Sequence, residues 1–201
     1  MEAAPVKTIT LISNEGDRHP VDIGVARTMS GLVRGVLEND EETTEIRLPN
    51  VNSAVLGSLI QFCSRYQVDP MQRIERPLQS HLLSELVQQW YADFANNVGQ
   101  DRLFELFAAA LYMQIEPLEQ LMDLTCAAVA IVFNGRTLGQ MRELLGTIRL
   151  PEDDLLRAHI LTRVGSFLHP GSSGVFHVVV NLARNPGAPV PFPNGGLIYD
   201  A

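Results

Sequence analysis

Residues 117–133 read PLEQLMDLTCAAVAIVF, and how this stretch packs decides the fold. Pro117 suits the first turn of a helix, where its missing N–H is not needed, and Asn134-Gly135 supplies a left-handed stop. The helix predicted here carries two apolar stripes. Met122, Cys126, Val129 and Phe133 form one, at spacings of four, three and four. Leu118, Leu121, Thr125, Ala128 and Val132 form a second, roughly opposite. After Asp123 no charged residue occurs until Arg136. An ordinary surface helix pairs an apolar stripe with a polar face, so this one is buried on both sides. Periodicity leaves two readings open. Either it is the central helix of this chain's own bundle, or one face meets this chain and the other a partner.

Toward the carboxy terminus, Thr137 starts a short amphipathic helix with Leu138, Met141, Leu144 and Leu145, stopped by Gly146. Pro151 followed by Glu152, Asp153 and Asp154 is a strong helix start, since acidic side chains favour the amino end of the dipole. That helix is expected to reach Leu168 and to end at His169-Pro170-Gly171. The tail holds one β-like run, Val175 to Val180, before NPGAPVPFPNGG, whose composition predicts disorder.

Toward the amino terminus the periodicity changes. VKTITLI (6–12) alternates as a strand, SNEGD turns at Gly16, and His19 to Ile23 is the expected return. Ser30 caps a helix ending near Asn39, with Leu32, Val33, Val36 and Leu37 on its apolar side. Glu38 to Glu45 reads as a solvated acidic loop, and Glu45 to Leu48 as a short strand. From Asn52, a natural cap, Val55, Leu56, Leu59, Ile60, Phe62, Cys63 and Tyr66 mark a helix. Residues 67–79, with Pro70 and Pro77, read as a polar linker. A helix is expected after Ser80 through Phe94, and another from Asp101 with Leu103, Phe104, Phe107 and Leu111.

Composition excludes several functions. The 201 residues carry a net charge of −8, with no basic stripe of the kind that phosphate contacts require, so nucleic acid is not an expected partner. No apolar run approaches the roughly 20 residues needed to span a bilayer, and the amino end carries no signal-peptide pattern. The chain is therefore expected to be soluble and intracellular. Two cysteines make neither a disulfide framework nor a four-thiolate metal site. Cys63 and Cys126 lie in apolar helical stretches, where a thiol acts as a small hydrophobe. The five histidines match no metal-ligand spacing, and no Walker loop, nucleophile elbow or dinucleotide fingerprint is present. No catalytic residue, metal or cofactor is assigned. Of the 15 basic residues, Lys7 alone is lysine.

Several words of the sequence carry a specific resemblance. LPNVNSAVLGSLIQFC (48–63) with SRYQVDP, LFELFAAALYMQIEPL (103–118), DLTCAAVAIVFNGRT (123–137) and MREL (141–144) resemble the blocks of the Skp family, the S-phase kinase-associated proteins. Trp90 and Phe94, TITL, SNEG and Val21-Asp22 are similar to further family positions. The resemblance implies an α+β chain. A BTB/POZ-type fold, a small sheet with helices, would occupy residues 1–115, including the linker at 67–79. A helical F-box-binding extension would follow at 116–168, with a mostly flexible tail at 169–201.

Members of that family are non-enzymatic adaptors joining an F-box protein to a cullin in SCF ubiquitin ligases. The resemblance therefore implies an F-box-binding face of Met122, Cys126, Val129, Phe133, Leu145, Ile148 and Phe167. It implies a cullin-binding face of Leu32, Val36, Leu111 and Tyr112, and a location in cytoplasm and nucleus. Free of its partner, the first face would be an open apolar groove, prone to self-association. The alternative is a structural subunit of kinetochore type, or an F-box pairing without cullin. Departures from the family pattern are specific. Leu111 replaces an asparagine, and Leu138 replaces a proline. About three extra residues between Ile115 and Asp123 add nearly one helical turn. Phe167 alone stands in for a terminal tryptophan, and residues 169–201 have no counterpart.

Overall fold

In the computed structural model, which describes residues 7–147, 154–184, 190–191 and 197–198, the alternating TITLI segment forms β1 (Thr8–Ile12). Its inward positions Ile9 and Leu11 are fully buried. A turn returns the chain as β2 (Arg18–Asp22), antiparallel to β1 with Leu11 opposite His19. Gly16 sits there at φ 91°, a left-handed conformation that a side chain would strain. β3 (Glu45–Arg47) pairs with β1 in parallel, giving the order β2-β1-β3.

Capping side chains start the first helices. Asp22 Oδ1 accepts from Val25 N at 3.0 Å and opens α1 (Ile23–Met29), a helix too short for its periodicity to stand out in the sequence. Ser30 caps α2 (Gly31–Asn39), and Asn52 caps α3 (Ser53–Val68) by accepting from Val55 N at 2.8 Å. Cys63 on α3 is buried, and burial pushes its thiol up to about 12.

Three expectations for the middle of the chain are corrected. Residues 67–79 are not a solvated linker, because Met71, Ile74 and Leu78 are buried and Leu78 N donates to Phe167 O at 2.9 Å. The helix expected from Ser80 to Phe94 is interrupted. A single 3-10 turn at Leu83–Glu85 precedes α4 (Gln89–Val98). The cause lies in the neighbouring segment. Gln72 Nε2 donates to the Leu86 carbonyl at 2.8 Å, the acceptor that a continuous helix would offer to Trp90 N. Gln88 is tied by its Nε2 to Pro70 O at 2.8 Å, while its own carbonyl opens α4 by accepting from Tyr91 N. The next helix, α5 (Gln100–Met113), has Gly99 at φ 79° as its N-cap position, so the Asp101 that was expected to cap it is already the helix's second residue.

Among the described residues the helices that follow are α6 (Leu118–Phe133), α7 (Leu138–Thr147), α8 (Asp154–Phe167) and α9 (Pro170–Arg184). Pro117 and the Asn134-Gly135 stop bound α6 as the sequence suggests, with Gly135 at φ 71°. Thr137 and Gln140 cap α7 reciprocally, each side chain accepting from the other's N–H at 3.4 and 3.1 Å, and the helix runs through Gly146. The start expected at Pro151 lies outside the described residues.

The β-like run at 175–180 is helical within α9, so the tail is not flexible throughout. Phe176 and Val180, four apart, are both buried against the rest of the chain, and tertiary burial overrides the strand preference of valine. Farther on, Val190–Pro191 pairs with Leu197–Ile198 as β4 and β5. One apolar core runs from Ile9 and Leu11 through α3, α5 and α6 to Phe167 and Phe176, continuous across residue 115.

Candidate interaction surfaces

The two sides of α6 meet different parts of the chain. On one, Leu121 and Thr125 are buried, with Leu118, Ala128 and Val132 half-buried, and α4 and α5 pack against the helix. On the other, Met122, Cys126, Val129 and Phe133 are all at most 4% exposed. α8 lies along α6, and Cys126 Sγ is 4.0 Å from the Ile160 carbonyl. Phe176 of α9 rests on Phe133, ring centroids 5.3 Å apart. The open groove expected for the free chain is therefore filled by the chain's own α8 and α9. Of the two readings that periodicity left open, the central-helix one describes this conformation. Burial also pushes the Cys126 thiol up to about 12.

Leu145 is half-buried on α7 and packs against the same core, while Ile148 lies outside the described residues. Phe167 is fully buried at the end of α8, with the Arg76 guanidinium over its ring at 4.7 Å. So Met122, Cys126, Val129, Phe133 and Phe167 come together where α8 and α9 cover α6, while α7, which carries Leu145, packs against α9.

What the sequence reading missed is the polar fastening at the edge of this contact. Arg163 of α8 donates to Asp123 Oδ1 from Nε at 2.7 Å, to Glu119 Oε2 at 2.6 Å and to the Met122 sulfur at 2.9 Å. Arg76 pairs with the same Asp123 oxygen. Arg163 and Asp123 are only 13% and 15% exposed, so this is a largely desolvated pair. Burial works to lower the Arg163 pKa, but the bonds to Asp123 and Glu119 outweigh it and raise the value overall. The available signal was Asp123 itself, the last charge before a long neutral stretch.

The second set of residues sits on the joint between α2 and α5. Ser30, fully buried, donates from Oγ to Met113 O at 2.6 Å while accepting from Val33 N at 3.2 Å. Gly31 N donates to Gln114 O at 3.0 Å, and Glu116 N to Met29 O at 3.0 Å. A Cβ on Gly31 would stand 2.8 Å from Gln114 Oε1, so the approach is close. Arg34 and Glu116 pair across the outside at 3.0 Å. This stitching brings the α2 segment bearing Leu32 and Val36 to the carboxy end of α5, which bears Leu111 and Tyr112. Leu32, Val36 and Tyr112 are half-buried and Leu111 is 36% exposed. Among the described residues no cluster of His, Cys, Asp and Glu is placed to hold a metal, and no helix is long and apolar enough to cross a membrane.

Leu32 and Val36 of one surface, and Met122 to Ile148 of the other, lie on segments shared with known proteins. Residues 7–68 match the Skp1 family tetramerisation domain, and residues 119–148 match the Skp1 family dimerisation domain. The chain is 32% identical over 145 residues to the S-phase kinase-associated protein 1 homolog of Tetrahymena thermophila, covering 72% of this chain and 83% of that protein. It is 32% identical to SKP1-like protein 1A of Arabidopsis thaliana, covering 68% and 82% respectively. To the E3 ubiquitin ligase complex SCF subunit sconC of Arthroderma otae it is 31% identical, covering 71% and 84%. With a POZ-like sheet and helices at its amino end and the α6–α7 unit following in the same order, the chain belongs to the Skp1 family.

Proposed function

We propose that this chain is a non-enzymatic adaptor of an SCF-type E3 ubiquitin ligase, joining an F-box substrate receptor to a cullin scaffold in cytoplasm and nucleus. The observation that carries this reading is the likeness to relatives named as SCF subunits, 84% and 81% of whose lengths this chain covers. An adaptor needs two surfaces and no reacting group. Apolar helices and a half-buried aromatic at an element joint are the materials of such surfaces. In this reading the F-box protein engages α6–α8 through Met122, Cys126, Val129, Phe133, Leu145, Ile148 and Phe167. The cullin docks on Leu32, Val36, Leu111 and Tyr112.

A second reading, F-box pairing without cullin, is favoured by Leu111, an apolar side chain exposed where the family carries an asparagine. Affinity purification of the tagged full chain with mass spectrometry separates the two. Recovery of both a cullin and F-box proteins supports the adaptor, F-box proteins alone support the second reading, and neither overturns both.

A further inference from the structure

The face assigned to the partner is already occupied, and its two covering helices are held differently. α8 is fastened by polar groups: Arg163 to Asp123 and Glu119, and the Phe167 carbonyl to Leu78 N. α9 has no such fastening among the described residues. Its sequence, PGSSGVFHVVVNLAR, contains no acidic residue and no lysine or arginine before Arg184, so it has almost no charge with which to form ion pairs. It is held by apolar contact, with Phe176 on Phe133 and Val180 buried four residues on.

The seat is shaped for α9. A Cβ on Gly165 of α8 would lie 3.3 Å from the Phe176 ring, so glycine there admits the aromatic side chain. On its own α9 is a poor helix, with Gly171 and Gly174 in its first turns and Val178, Val179 and Val180 in succession. Little local propensity supports its helical form away from the seat. Such an element is ordered only while docked and is the first to open.

We propose that α9 is an intramolecular occupant of the partner groove, displaced when an F-box helix binds. The entering segment is an amphipathic helix that presents an aromatic or large aliphatic anchor, followed four residues later by a second apolar one, on an uncharged face. This rests on the adaptor function proposed above. The measured affinity is then the intrinsic affinity reduced by the fraction of molecules in which α9 is docked.

The test uses the full chain in three forms: wild type, Phe176→Ser and Val180→Ser, each loosening α9 without altering the seat that the F-box helix would take. Circular dichroism melts establish that each form is folded. Hydrogen exchange on the free wild type is expected to show the amides of 170–184 opening before those of 154–167. Both variants are expected to bind a purified F-box-domain protein about tenfold more tightly than wild type. A labelled peptide of residues 169–184 is expected to bind Phe176→Ser and to be displaced by that protein. Weaker or unchanged F-box binding by both variants, or α9 amides protected as strongly as those of α8, overturns the proposal. Absence of F-box binding by all three forms, with the peptide still bound by Phe176→Ser, overturns the adaptor function and supports the self-occupied groove.

Discussion

Arg163 on α8 meets Asp123 on α6 through Nε and Oδ1 at 2.7 Å, and the same oxygen receives Arg76 from the segment before α4. One carboxylate thus joins three parts of the chain at the edge of an apolar contact. Little solvent reaches the Arg163–Asp123 contact, so loss of the carboxylate leaves Arg163 with Glu119 alone, while the more exposed Arg76 can turn to water.

Asp123→Ala is expected to cost about 2 kcal/mol of stability, the scale of a hydrogen bond to a charged group left unmade. Urea denaturation of the wild type and variant measures it. The double variant with Arg163→Met is expected to lose less than the sum of the two single ones, because the two act on one interaction. Additive losses would show that the pair contributes nothing as a pair.

Tyr112→Ala is expected to reduce cullin recovery several-fold while leaving F-box recovery intact. Tyr112 is half-buried at the joint of α2 and α5, and the residues assigned to the F-box lie on α6, α7 and α8. Co-precipitation of both partners from one lysate reads the two at once. Equal loss of both would mark Tyr112 as a core residue. Val129→Asp is not a clean counterpart for the F-box face. Val129 is 2% exposed beneath the chain's own helices, so a charge there is expected to destabilise the fold itself.

The alkaline limb of stability is expected to report the two thiols. Burial raises Cys63 and Cys126 from 9.0 to about 12 in the folded chain. The unfolded chain releases these protons near pH 9 while the folded chain keeps them, so stability is intact below pH 9 and falls between about 9 and 12. Each thiol contributes a slope of about 1.4 kcal/mol per pH unit in that window. Cys63→Ala and Cys126→Ala, compared with wild type in denaturant titrations at pH 8 and pH 10, are expected to flatten the fall. An unchanged fall in both variants would place its origin elsewhere.

Lysine is nearly absent, and an adaptor works beside an activated ubiquitin thioester whose usual acceptor is a lysine amine. Arginine keeps the charge without offering that nucleophile. Lys7 is exposed at the foot of β1, its Nζ 3.3 Å from the Glu41 carbonyl. Within the active ligase, attachment is expected at Lys7 and the amino terminus only, and Arg73→Lys and Arg27→Lys are expected to gain it and shorten the adaptor's lifetime. Both arginines are exposed. Arg76 is unsuitable for this test, because it pairs with Asp123 and covers Phe167. Unmodified new lysines with an unchanged lifetime would leave arginine preference as a matter of composition alone.

By itself the sequence determined the first three strands, the caps at Ser30 and Asn52, the bounds of α6, the burial of both cysteines and the family. These follow from local alternation, from side chains that bond their own next turn, and from contiguous segments shared with the family. It also determined that α6 is buried on both sides, since that depends only on which residues are apolar. Only the tertiary structure decided what buries it. Periodicity describes a face, and a face is equally satisfied by a partner or by a later helix of the same chain. The valines of 175–180 are strand-like locally, and they became helical because Phe176 and Val180 gain more by docking on Phe133 and Gly165 than the backbone loses. The break before α4 and the fastening by Arg163, Arg76 and Asp123 were illegible for the same reason. Each depends on partners at least 14 residues away in the chain, brought near only by the completed fold.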